Sequence, residues 1–104
     1  MDDVLPLIDQ SRARGEALAV ATVVRTYGSA PRQVGSKMVV TQDGIMAGSV
    51  SGGCVEGAVF EECQQTLKTG QPKLLRFGVS NEQAWEVGLA CGGTIEVFVE
   101  RLDW

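Results

Sequence analysis

The run Leu18-Ala19-Val20-Ala21-Thr22-Val23-Val24-Arg25-Thr26 is apolar at successive rather than alternate positions, so a strand built from it buries both of its faces. Its β-branched residues, Val20, Thr22, Val23, Val24 and Thr26, favour extended backbone. Such a strand belongs at the centre of a sheet, and the rest of the chain supplies its neighbours. Lys37–Thr41 and Ile45–Val50 are strand-like runs joined by Gln42-Asp43-Gly44, the composition of a hairpin turn. Val55 to Thr69 reads as the main helix, with Gly70 beyond its end and Pro72 preventing continuation. At roughly 100° per residue, Val55, Val59, Phe60, Cys63, Thr66 and Leu67 share one arc, opposite Glu61, Gln64, Gln65 and Lys68. A shorter helix is expected over Val4–Arg14, capped by Asp2 or Asp3, with Pro6 tolerated in its first turn and Gly15 as its stop. Lys73–Phe77 and Thr94–Glu100 complete the strands. The expected class is α+β: a mixed β-sheet of about five strands, with one main helix and a short N-terminal helix packed on it.

A length of 104 residues supports one hydrophobic core and is short for two domains of ordinary size. A single domain over residues 1–104 is therefore expected. Lys and Arg number 9 against 13 Asp and Glu, for a formal net charge of -4, the wrong sign for wrapping nucleic acid. The N-terminal Met1-Asp2-Asp3-Val4 places acids where a secretory or transit segment carries positive charge. No apolar run approaches membrane-spanning length, so neither nucleic acid nor a membrane is expected as a partner. Three cysteines cannot all pair within one chain, and without an export signal they read as free thiols in a reducing, cytoplasmic compartment. Histidine is absent, which removes the commonest metal ligand and the usual base of Ser-His and Cys-His nucleophiles. No catalytic residue is assigned on this reading, and binding is favoured over catalysis.

Chemistry concentrates in two segments of related composition, Gly48-Ser49-Val50-Ser51-Gly52-Gly53-Cys54-Val55-Glu56-Gly57 and Gly88-Leu89-Ala90-Cys91-Gly92-Gly93-Thr94. Paired glycines let a backbone approach a ligand closely, so that amide groups converge on one point. In the first segment Ser51, Gly52, Gly53 and Cys54 also lead into the main helix, whose N-terminal amides favour an anion. A thiol placed there has a lowered pKa, which makes Cys54 the candidate reactive cysteine. Glu56 falls within the apolar arc, and a carboxylate turned inward at the first helical turn needs a partner or a task. Cys91, with Gly92 and Gly93, lies just before the last strand, from which the fold can bring it to the same rim as Cys54. Cys63 sits in the packed arc and reads as core. The loop Gly28–Lys37 adds Arg32 and Lys37, two cations suited to a phosphate. Its spacing is neither a Walker A nor a dinucleotide fingerprint.

Taken in order, Gly28-Ser29-Ala30-Pro31-Arg32, Gly35-Ser36-Lys37-Met38, Gly48–Glu56 and Glu86-Val87-Gly88-Leu89-Ala90-Cys91-Gly92-Gly93 resemble the signatures of the N-terminal domain of the XdhC/CoxI family of xanthine dehydrogenase accessory factors. The resemblance runs from about Ala19 to Glu100. It implies a maturation role: binding molybdenum cofactor, protecting its sulfurated form and delivering it to the apoenzyme of a xanthine dehydrogenase-type molybdenum hydroxylase. By that resemblance Cys54 and Cys91 lie near the molybdenum, the glycine turns with Arg32 receive the pterin or its phosphate, and Lys37, Ser51 and Glu56 count with them as cofactor-binding residues. Family members continue into a second, Rossmann-type domain that is absent from residues 1–104. A separate Rossmann-domain chain, a sulfurase and a second copy of this chain are therefore expected partners. The alternative reading is a thiol-dependent sulfur-transfer or redox protein that uses Cys54 and Cys91.

Overall fold

In a computed structural model, which describes residues 4–27, 33–50, 55–78 and 94–103, the doubly apolar run forms strand β1 (Leu18–Tyr27). Around it, in chain order, stand α1 (Leu5–Arg14), β2 (Lys37–Thr41), β3 (Met46–Gly48), α2 (Glu56–Thr69), β4 (Lys73–Gly78) and β5 (Thr94–Leu102). The strand order across the sheet is β3-β2-β1-β5-β4, which puts β1 at the centre. The α+β class and five strands match the sequence expectation. Among the described residues every pairing is antiparallel, however, so the sheet they form is not mixed. The reason is the path of the chain. Helix α2 carries it from the edge strand β3 to the far edge β4, and β5 then fills the gap beside β1, opposed to both neighbours.

Alternation along β1 assigns its side chains to two cores. Ala19, Ala21 and Val23 face α2 and pack with Met38, Val40, Val59, Cys63, Ile95, Val97 and Val99. Leu18 and Val20 point the other way and pack with Val4, Val39 and the partly buried Leu7 and Ile8 of α1. Each such buried aliphatic side chain contributes about 1.5–3 kcal/mol, which is why the N-terminal helix sits over this end of the sheet. Past Val23 the register shifts by one residue at Val24, an exposed bulge, and Arg25 resumes the ladder opposite Glu96 with a 3.7 Å ion pair.

The local signals behave as their chemistry requires. Gly15 and Gly70 both adopt left-handed backbone and close the C-termini of α1 and α2. The Gly70 amide donates to the Thr66 carbonyl at 2.8 Å, and the Arg101 guanidinium donates to the carbonyl of Leu67 at 3.3 Å. A cation at this helix end also complements the dipole. In the β2–β3 hairpin the Gly44 amide donates to the Thr41 carbonyl at 3.1 Å. Gly44 has φ +84° and no non-glycine residue has positive φ among the described residues, so the loop is a turn closed by a glycine bulge, not the primed two-residue type. The N-cap position of α1 is Val4, without a side-chain cap bond. Asp2 and Asp3, expected there, lie outside the described residues, as does the loop around Asn81–Leu89.

The apolar arc of α2 holds as read. Val59, Cys63 and Thr66 are buried, and Phe60 and Leu67 pack partly against the core. Thr66 is the anomaly, since its fully buried hydroxyl has no hydrogen-bond partner among the described residues. Thr66→Val keeps the shape and removes that unmet group. It is expected to stabilise the domain by about 1 kcal/mol, read as a rise of about 4–8 °C in Tm for a domain of this size.

Candidate functional site

The site is built where the chain leaves the edge strand β3 and turns into α2. Gly48 takes φ +80°, and a Cβ there would run into the Lys37 carbonyl oxygen and stand 2.6 Å from Val4 Cγ1. Only glycine fits this close approach. The next amide, that of Ser49, donates to the Lys37 carbonyl at 3.0 Å. The Ser49 hydroxyl then donates to Oε2 of Glu56 at 2.7 Å, and the Val50 amide donates to the same oxygen at 3.0 Å. Val50 and Val55 are both buried in the α2 core. The chain is thereby fixed on either side of residues 51–54.

Glu56 thus has the partners that its inward position required. The carboxylate stands in the first turn of α2, where the helix dipole also favours negative charge. Lys37, assigned to the same site from sequence, meets the junction through its backbone carbonyl and not through its ammonium group. Its neighbour Met38 points into the α2 core, so alternation turns Lys37 to the opposite face, where Nζ donates to Thr22 Oγ1 at 3.0 Å across the β1–β2 pairing. Lys37 and Glu56 therefore lie on different faces of the sheet. Arg32, Ser51, Gly52, Gly53, Cys54, Cys91, Gly92 and Gly93 lie outside the described residues. Sequence reasoning passed over Gly48 and Ser49 as individual contributors. Their signal was present in the order Gly-Ser ahead of the paired glycines, but the partner that gives it meaning is seven residues away.

Cys63 is fully buried on the inner face of α2. Burial first, and the negative charge of Glu62 second, push its thiol from the ordinary 9.0 up to about 12. A thiol held protonated is no nucleophile, in keeping with its reading as core. Among the described residues no group of His, Cys, Asp and Glu side chains could hold a metal ion, and no helix is long and apolar enough to cross a membrane. A shallow cleft of about 260 Å³, lined by Gln42, Gln64, Leu67 and Lys68, opens at the C-terminal half of α2, away from the β3–α2 junction.

An antiparallel sheet with a helix on each face, entering its main helix just after a glycine- and cysteine-containing segment of the sequence, defines a small α+β domain. The chain belongs to the XdhC and CoxI family, whose model matches residues 11–78. It is 35% identical over 88 residues to the molybdenum cofactor insertion chaperone PaoD of Escherichia coli (strain K12), covering 85% of this chain and 27% of that protein. It is 34% identical over 89 residues to a protein of Bacillus subtilis (strain 168) described as a probable xanthine dehydrogenase subunit, covering 84% and 27% respectively. A crystal structure described as a xanthine dehydrogenase from Bacillus halodurans superposes with a TM-score of 0.77 at 27% identity, over 97% of this chain and 31% of that one. The chain thus spans about a quarter of the length of these two curated relatives.

Two outcomes follow from the geometry of the junction and the helix. Gly48→Ala should destabilise the domain by about 2–5 kcal/mol, combining left-handed strain with overpacking, which urea unfolding measures. Between pH 9.0 and about 12 the folded state keeps the Cys63 proton that the unfolded chain releases. Stability is then complete below pH 9.0 and falls as pH rises through that window. Cys63→Ala should flatten that part of the stability–pH curve, and in the wild type Cys63 should resist alkylation until the protein unfolds.

Proposed function

We propose that this domain binds molybdenum cofactor as cargo and hands it to a xanthine dehydrogenase-type molybdenum hydroxylase during maturation, acting as an accessory protein rather than as a catalyst. The observation that carries this reading is the similarity to the cofactor insertion chaperone PaoD across 85% of the chain, together with the family match. The fold supports it in one respect. The β3–α2 junction anchors both ends of the segment that carries Ser51, Gly52, Gly53 and Cys54, the amides and thiol suited to an anionic, sulfur-bearing cargo.

On this reading Arg32, Gly92, Gly93 and Cys91 complete the grip. Arg32 contributes charge-assisted hydrogen bonds to the phosphate, and Cys54 and Cys91 stand nearest the molybdenum. The reading also places the protein in the cytoplasm, with the hydroxylase apoenzyme as its main partner. A sulfurase, a Rossmann-type domain and a second copy of the chain are further partners on this view. The relatives lend no support to a thiol-dependent sulfur-transfer or redox role.

The chain is to be co-expressed in a host that makes molybdenum cofactor, alone and with a xanthine dehydrogenase-type partner, and the purified protein assayed for pterin and molybdenum. Both should co-purify. Arg32→Ala should lower capture roughly ten- to hundredfold, the equivalent of about 1.5–3 kcal/mol, with Tm nearly unchanged. Protein free of pterin under both conditions would end the proposal.

A further inference from the structure

Glu56 carries two hydrogen bonds on one carboxylate oxygen, one from the Ser49 hydroxyl and one from the Val50 amide, and this decides which of two roles it can have. A carboxylate that grips cargo must present its oxygens to the cargo. Oε2 of Glu56 is instead engaged by the protein's own chain, in charge-assisted bonds of the stronger kind. Against a phosphate it would also set two anions side by side, which raises the cost of binding.

The position of the bonds matters as much as their number. Glu56 is the first residue of α2, Ser49 is the first residue beyond β3, and Oε2 of the one joins it to the hydroxyl of the other. The carboxylate in the first turn of α2 reaches out of the helix to the chain that leaves β3. Gly48 supplies the sharp departure from β3 that makes the reach possible, because its left-handed backbone turns Ser49 back over the Lys37 carbonyl. The side chains of Val50 and Val55 are then seated in the core.

We propose that Glu56 is a positioning residue: a latch that ties the end of β3 to the start of α2, fixing the ends of the segment 51–54 and acting on the cargo only through that segment. The inference rests on the cofactor-binding reading for its consequence, though not for the latch itself. It changes the role that the sequence assigned to Glu56, from a group that touches cofactor to one that holds the groups which do.

The test combines amide exchange by NMR with cofactor capture in the co-expression host. In Glu56→Ala the Val50 amide should exchange about tenfold faster or more, while the amides of Val39 and Val97, in β2 and β5, keep their protection. Pterin content should fall with it. Glu56→Gln retains an oxygen that accepts from both donors and should restore most of the protection and most of the capture. Glu56→Asp keeps the charge but withdraws it by one methylene, and should resemble alanine in both. Ser49→Ala leaves the Val50 bond and should give a smaller effect in the same direction, which keeps the test available if Glu56→Ala does not fold.

The latch is overturned if Val50 exchange in Glu56→Ala is unchanged, or if it rises together with that of Val39 and Val97. It is equally overturned if Glu56→Gln restores Val50 protection while capture stays as low as in alanine, since the carboxylate would then contact the cargo directly. Selective Val50 exchange in Glu56→Ala, alongside a wild-type protein that carries no pterin, would support the latch and sink the cofactor reading.

Discussion

The whole arrangement depends on β1 being paired on both sides and covered on both faces. Its ladder to β2 runs from Leu18 opposite Thr41 to Thr22 opposite Lys37, and its ladder to β5 runs the full length of both strands. A strand with donors and acceptors satisfied on two sides keeps apolar side chains on both faces only where something covers them. Helix α2 covers one face through Val59 and Cys63, and α1 with Val4 covers one end of the other. Remove either cover and the same run of valines and alanines becomes an exposed apolar surface.

With β1 fixed, the path of α2 is close to forced. The helix must lie across the face made by Ala19, Ala21 and Val23, and it must deliver the chain from one edge of the sheet to the other. Its two ends are tied by different chemistry. At the C-terminus the left-handed Gly70 and the Arg101 guanidinium meet the last carbonyls, while Lys73 of β4 reaches back to Glu62 at 2.9 Å and Gln65 at 2.9 Å. At the N-terminus Glu56 reaches back to Ser49 and Val50. The stable sheet and helix thus hold the chain on either side of residues 51–54.

The same sheet and helix settle the chemistry of the thiol they enclose. Cys63 is fully buried on the inner face of α2, where burial and the negative charge of Glu62 push its pKa up to about 12. The thiol stays protonated and takes no part as a nucleophile.

The sequence by itself determined the elements: the doubly buried strand from its continuous apolar run, the hairpin from Gln42-Asp43-Gly44, the helix and its inner face from the spacing of Val55, Val59, Cys63 and Thr66, and the core role of Cys63. These are local properties, set by side-chain period and turn chemistry within a few residues. The resemblance carried by the glycine–cysteine segments was legible for the same reason. Tertiary structure alone decided the rest. That the sheet is antiparallel throughout depends on β5 inserting between β4 and β1, a choice of neighbour that no local pattern encodes. That Lys37 and Glu56 part company depends on strand register, since a shift of one residue moves a side chain to the other face. The partner of Glu56 and the unmet hydroxyl of Thr66 were fixed by contacts made only after the elements had packed, because hydrogen bonds depend on distance in space and not on separation along the chain.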